Sequence, residues 1–129
     1  MIITDTLSNF FSKLKNGYLS KKYKITQPKS KQVVNILNIL IKEGFIKSYQ
    51  ISKTNSNIIF IYLKYKNNQP ILNEIKRISK PSKRIYIKNK DLFKIKKRGF
   101  YIISTSFGII TDLQAKKFNL GGELICNIY

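Results

Sequence analysis

Apolar and polar positions along this chain recur with two periods, and the switches between them lay out its elements. Leu7, Phe10, Phe11 and Leu14 fall at i, i+3, i+4 and i+7, one buried stripe of a helix. Thr4 can cap this helix and Asp5 suits its first turn, so it is predicted to run through about Lys15 and to stop at Gly17. Residues 21–25 read as a short basic strand with Ile25 buried, ended by Pro28. Ser30 is placed to cap a second helix, whose broad apolar face holds Val33, Val34, Ile36, Leu37, Leu40 and Ile41 and which Gly44 closes. Residues 45–51 and 58–65 then read as two strands of a hairpin around the Ser/Thr/Asn-rich loop 52–57. The first half is α-β-α-β-β.

Asn67-Asn68-Gln69-Pro70 is polar and ends in proline, which places a boundary there and gives two domains, 1–68 and 69–129. In the second half, Ile75 and Ile78 precede a short strand at 85–87. Residues 100–112 carry the most unusual pattern. Tyr101, Ile102 and Ile103 read as a strand, Ser104, Thr105 and Ser106 interrupt it with three hydroxyls, and Ile109-Ile110 resumes it after Gly108. Gly108 suits a positive φ or a close backbone approach. Three small hydroxyls in a tight strand connection can donate and accept hydrogen bonds to sugars, phosphates or base edges, and they also suit an ordinary polar turn. Thr111 and Gln114 have capping-box spacing for a short helix. Ala115 and Phe118 are expected to face inward, Lys116 and Lys117 outward, and Asn119 or Gly121 to take the left-handed cap. Residues 124–129 form the closing strand. The fold class is α+β: an α-β-α-β-β domain followed by a mainly antiparallel β domain with one short helix.

Charge narrows the function. The 129 residues carry 25 Lys and Arg against 6 Asp and Glu, a formal charge of +19. Residues 1–68 hold 12 basic and 2 acidic side chains (+10), and residues 69–129 hold 13 and 4 (+9). The charge is therefore not a basic tail on a neutral domain, and a polyanion is expected to touch both halves. Residues 76–98 alone hold 11 basic side chains and one acidic one, Asp91, interleaved with Ile85, Tyr86, Ile87, Phe93 and Ile95. That interleaving reads as a folded basic surface.

Several chemistries drop out. There is no histidine and one cysteine, Cys126, so an intrachain disulfide, a Cys/His zinc site and a histidine base are excluded. Cys126 sits in an apolar strand and reads as an inert buried thiol. No run approaches the 18 or more apolar residues of a membrane helix, and the amino terminus shows no secretory or Arg-rich leader. Asp5, Asp112 and Glu123 are the carboxylates open to metal-assisted RNA cleavage, but cap and turn positions explain them and no pair has metal-ligand spacing. No enzyme, cofactor or small-molecule substrate is expected. Helix, Gly-Phe-Ile turn and hairpin also end a winged-helix DNA-binding regulator, the alternative reading, which normally shows three helices before its wing.

Ser104-Thr105-Ser106-x-Gly108, Ile109-Ile110-Thr111-Asp112 and Gly121-Gly122-Glu123-Leu124-Ile125-Cys126 together resemble the carboxy-terminal signature of the bacterial-type family of ribosomal protein number eight of the small subunit. Lys13-x-x-Asn16-Gly17, Ser30-Lys31, Glu43-Gly44-Phe45-Ile46, Leu63-Lys64-Tyr65 and Arg77-Ile78-Ser79-x-Pro81-x-x-Arg84-Ile85-Tyr86 follow the family's markers in order, over nearly the whole chain. The resemblance implies two small domains packed side by side. It implies binding to an irregular helical element in the central domain of the small-subunit rRNA, early in subunit assembly, with neighbouring small-subunit proteins as further partners. In bacteria, members of the family also repress translation of their own messenger RNA. The carboxy-terminal domain would read the irregular region through Ser104, Thr105, Ser106 and Gly108, with Arg84 and Tyr86 nearby and Glu123 accepting from an amine or orienting the loop. The amino-terminal domain would hold the backbone through Thr4, Asn16, Ser30 and Lys31 at helix ends. Phe107 stands where the family usually has a basic residue, Ser82 where it has glycine and Lys80 where it has arginine. Abundant Ile, Asn and Lys with scarce Ala and Gly point to an A/T-rich genome. A mitochondrial, organelle-encoded ribosome is expected, with a plastid or a bacterial cytoplasm as alternatives.

Overall fold

The computed structural model describes residues 6–80, 82–95 and 98–129. The expected cap of the first helix at Thr4 and Asp5 lies outside the described residues. The chain divides into two compact units between Asn73 and Glu74.

The first unit opens with helix α1, Thr6–Leu19, which buries Leu7, Phe10, Phe11 and Leu14 as their spacing demands and continues the stripe through Gly17 and Tyr18. Gly17 is therefore not the stop. A Cβ there would lie 2.8 Å from Ile25 Cγ2 and 3.1 Å from Leu63 Cδ1, so the glycine is needed for close packing on the sheet. The helix ends instead at Lys21, which takes a positive φ of 54°. Lys22 N donates to Gly17 O and Lys21 N to Tyr18 O, the Schellman pattern without glycine. The next strand, β1 (Lys24–Pro28), accordingly starts three residues later than the expected 21–25. Helix α2, Lys31–Lys42, has Ser30 as its N-cap, with Ser30 Oγ accepting from Val33 N at 3.2 Å. Strands β2 (Ile46–Ile51) and β3 (Ile58–Leu63) complete an antiparallel sheet ordered β1-β3-β2. Ile25, Ile59, Ile61 and Leu63 are buried on the face that receives α1. Lys24, Thr26, Ser48 and Gln50 are exposed on the other. Tyr18 links helix to strands: its hydroxyl donates to Phe45 O at 2.6 Å and accepts from Lys64 N at 3.2 Å.

Residues 67–70 do not form an open linker. Asn67 and Asn68, at φ 53° and 62°, make a two-residue turn that pairs β4 (Tyr65–Lys66) with β5 (Gln69–Pro70). Asparagine tolerates these angles, and that turn carries the chain on to the division at 73/74.

In the second unit, β6 (Ile75–Arg77) and β7 (Tyr86–Ile87) both pair with the closing strand β10 (Gly122–Ile128). Strand β8 (Phe100–Thr105) lies on the other side of β10 and pairs onward with β9 (Gly108–Thr111). All four pairings are antiparallel. Helix α3 (Asn89–Leu92) and helix α4 (Asp112–Lys117) cover one face of this sheet, and Leu92, Ile103, Ala115 and Leu124 form the core beneath them. Thr111 and Gln114 make the expected capping box, and Asn119 takes the left-handed position at φ 57°. Phe118 does not face inward: it stands at the C-cap and is 59% exposed, because the short helix ends before its stripe can return to the core.

Candidate nucleic-acid interface

The second unit places four of the singled-out side chains in one neighbourhood. Tyr86 on β7 pairs in register with Glu123 on β10, which pairs in register with Ser104 on β8. Directly opposed residues share a sheet face, so these three form a row across it. Ile103 and Leu124, the next pair, turn to the opposite face and enter the core. Arg84, two residues before Tyr86, reaches the row as well, and its guanidinium donates to both carboxylate oxygens of Glu123 at 3.4 Å. With Arg84 55% exposed, such a pair contributes at most about 1 kcal/mol, so orientation is its main effect. Tyr86 is 68% exposed, which leaves its ring face open for stacking.

Ser79 holds this corner in place, a role its sequence position did not announce. Its hydroxyl donates to Ile85 O at 3.1 Å and accepts from Ile85 N at 2.9 Å, fixing the residue between Arg84 and Tyr86. Arg77 Nε donates to Ser79 O at 2.8 Å. Gly122 allows β10 to press against β8 just before Glu123, since a Cβ there would sit 2.1 Å from Ser104 O.

The three hydroxyls separate. Ser104 and Thr105 do not interrupt the strand but finish it, and only Ser106 and Phe107 form the turn. Thr105 Oγ1 donates to Gly108 O at 2.8 Å and accepts from Phe107 N at 3.2 Å, so this hydroxyl is committed to holding the turn. Ser104 and Ser106 make no side-chain hydrogen bond among the described residues, and Ser106 is exposed. Phe107 beside it is 80% exposed. Gly108 has φ 113°, and a Cβ added there would meet nothing within 4 Å, so its backbone angle, not a close approach, requires glycine.

In the first unit, Ser30 and Lys31 open α2, where backbone amides point outward and favour an anion. Asn16 is exposed but lies three residues before the C-terminal end of α1, where unpaired groups are carbonyls. Only its side-chain amide can meet a phosphate there. Thr4 lies outside the described residues. Lys13 reaches β1, donating to Thr26 O at 3.3 Å, at the edge of a cleft of about 380 Å³ that Thr26, Pro28, Thr54, Asn55 and Phe60 also line.

Among the described residues, no three His, Cys, Asp or Glu side chains gather as a metal site. No helix among them is long and apolar enough to cross a membrane. Burial pushes the Cys126 thiol far above its ordinary range, so it stays protonated and unreactive.

Fold and site together describe a strongly basic, two-unit α+β protein whose exposed polar groups gather on a sheet row and a hairpin. A model of the family described as ribosomal protein S8 matches residues 5–129. The small ribosomal subunit protein uS8 of Ehrlichia chaffeensis is 41% identical over 132 residues, covering 100% of both chains. That of Buchnera aphidicola is 40% identical over 129 residues, 99% of each chain, and the uS8c protein of Chlorella vulgaris is 37% identical over 138 residues, 99% of this chain and 100% of its own. The chain belongs to the ribosomal protein S8 family.

Proposed function

We propose that this protein is a structural, non-enzymatic component of a small ribosomal subunit that binds the central domain of the small-subunit rRNA and helps it assemble. The observation that carries this reading is the second unit's row of exposed Arg84 and Tyr86 with half-buried Glu123 and Ser104, beside the uncommitted hydroxyl of Ser106. A-form RNA hides its major groove, so proteins read irregular bases, 2′-hydroxyls and shape. Short neutral hydroxyls enter such a site, the Tyr86 ring stacks, and Glu123 holds Arg84 in place and accepts from base amines. The first unit grips the backbone through Ser30, Lys31, Asn16 and Thr4. Its +10 charge and the second unit's +9 add the sequence-independent part of the affinity. Neighbouring small-subunit proteins complete its surroundings.

The test is a salt series comparing the rRNA central domain with scrambled RNA of equal length and with duplex DNA. The rRNA is expected to win by about 10³-fold or more, and Ser106→Ala to narrow the gap. Equal binding of all three ligands, fading together with salt, would remove the reading of the hairpin. For the compartment we infer an organelle-encoded mitochondrial ribosome from the A/T-rich composition. The relatives named above come from two bacteria and a green alga, so plastids and bacterial cytoplasm compete. Immunoblots of purified organelle ribosomes decide among them.

A further inference from the structure

The first unit's sheet leaves one whole face without a buried residue, and that face has an ordered composition. Phe60 and Tyr62 lie two apart on the central strand β3, both on this face, opposite Thr26 and Gln50 in one row and Lys24 and Ser48 in the next. Tyr23, 65% exposed, meets Tyr62 edge-on with ring centroids 5.6 Å apart. Lys24 Nζ lies 4.7 Å from the Phe60 ring centroid and Lys47 Nζ 5.8 Å from that of Tyr23. None of β1, β2 or β3 carries a carboxylate.

We infer that this face is a stacking platform for unpaired nucleotides of RNA, distinct from the hairpin and sheet row of the second unit. Residues two apart on a strand are about 7 Å separated, near the spacing of successive bases in an extended single strand. Rings at that spacing offer π-faces to consecutive bases without selecting sequence. The two exposed lysines already rest on the rings, and each can pass to a flanking phosphate as a base takes its place. A protein partner with an apolar anchor would have to desolvate these ammonium groups, and nothing acidic on the face compensates them. Tyr62 is further steadied by its hydroxyl, which donates to Gln50 Oε1 at 3.3 Å. This platform does not depend on the role proposed for Ser106.

The test uses the full chain, a fluorescein-labelled octauridylate, and an RNA duplex of the same length. Phe60→Leu combined with Tyr62→Leu is expected to weaken octauridylate binding by about tenfold or more while duplex binding changes less than about twofold. Tyr62→Phe keeps the ring and is expected to bind as wild type. Equal losses for both ligands, or no loss for either, would overturn the platform, and no loss would leave the face to a protein neighbour. Ultraviolet crosslinking of wild-type protein to 5-iodouridine RNA decides the matter even if the double substitution unfolds the sheet. Adducts on Tyr23 or Tyr62 support the platform, and adducts confined to residues 74–129 overturn it.

Discussion

Gly122→Ala perturbs the site through the backbone beneath it. The added Cβ would lie 2.1 Å from Ser104 O, 3.0 Å from Ser104 C and 3.2 Å from Thr105 Cα, where ordinary contact begins at 3.4 Å. No side chain can swing away to relieve this, because every neighbour is backbone of β8. Strand β8 is itself held between β10 and β9, through Glu123↔Ser104 and Ser104↔Ile109. Opening the gap by more than an ångström breaks ladder hydrogen bonds at Glu123. Overpacking costs about 1–3 kcal/mol and each lost bond about 1 kcal/mol, against about 0.4–1 kcal/mol recovered from the stiffer unfolded chain. The expected net loss is about 2–4 kcal/mol, a drop in Tm of roughly 8–16 °C for a chain of this size. Urea unfolding followed by circular dichroism measures it, and rRNA affinity should fall as Glu123 leaves the Tyr86–Ser104 row. A variant within about 0.5 kcal/mol of wild type would refute the close approach of the two strands. Gly108→Ala is the control: space is open there, so its cost, about 1–3 kcal/mol, comes from the φ of 113° alone.

Thr105→Val removes both turn hydrogen bonds without changing shape much, and is expected to cost about 1 kcal/mol and loosen the hairpin, seen as faster amide exchange at Phe107. Ser106→Ala, by contrast, should leave unfolding unchanged. Gln27 is buried and its Oε1 has no hydrogen-bond partner among the described residues, so Gln27→Met is expected to raise stability by about 1 kcal/mol, and a lower urea midpoint would contradict this. Burial holds the protons of Cys126 and Tyr18 more tightly in the folded than in the unfolded chain, where the ordinary values are 9.0 and 10.0. The stability they confer is complete below those values and declines as pH rises past them, so the urea midpoint should fall progressively as pH rises above about 9. Over the same assay, Cys126 should react with a thiol reagent only after unfolding.

The longer helices and strands were legible because each carries its own period. The stripe Leu7, Phe10, Phe11 and Leu14, the cap at Ser30 and the box at Thr111 and Gln114 depend on neighbours within one or two turns, and local sequence determines such features. Charge, the missing histidine and the lone cysteine likewise bound the chemistry without any folding argument. Family motifs pointed to Arg84, Tyr86, Ser104 and Glu123, but not to the register that makes them one row.

What only the tertiary structure decided were contacts between residues far apart in the chain. Gly17 looked like a stop because glycine ends helices; the approach of Ile25 and Leu63 keeps it inside one. Phe118 continued an apolar stripe that a six-residue helix is too short to complete. The Ser-Thr-Ser run looked uniform, and strand pairing split it into a strand end, a turn lock and an exposed hydroxyl. The aromatic face of β3 is invisible as a surface until β1 and β2 flank it with lysines. Period and propensity are properties of a segment, whereas register, close approach and which face stays open belong to the packed whole.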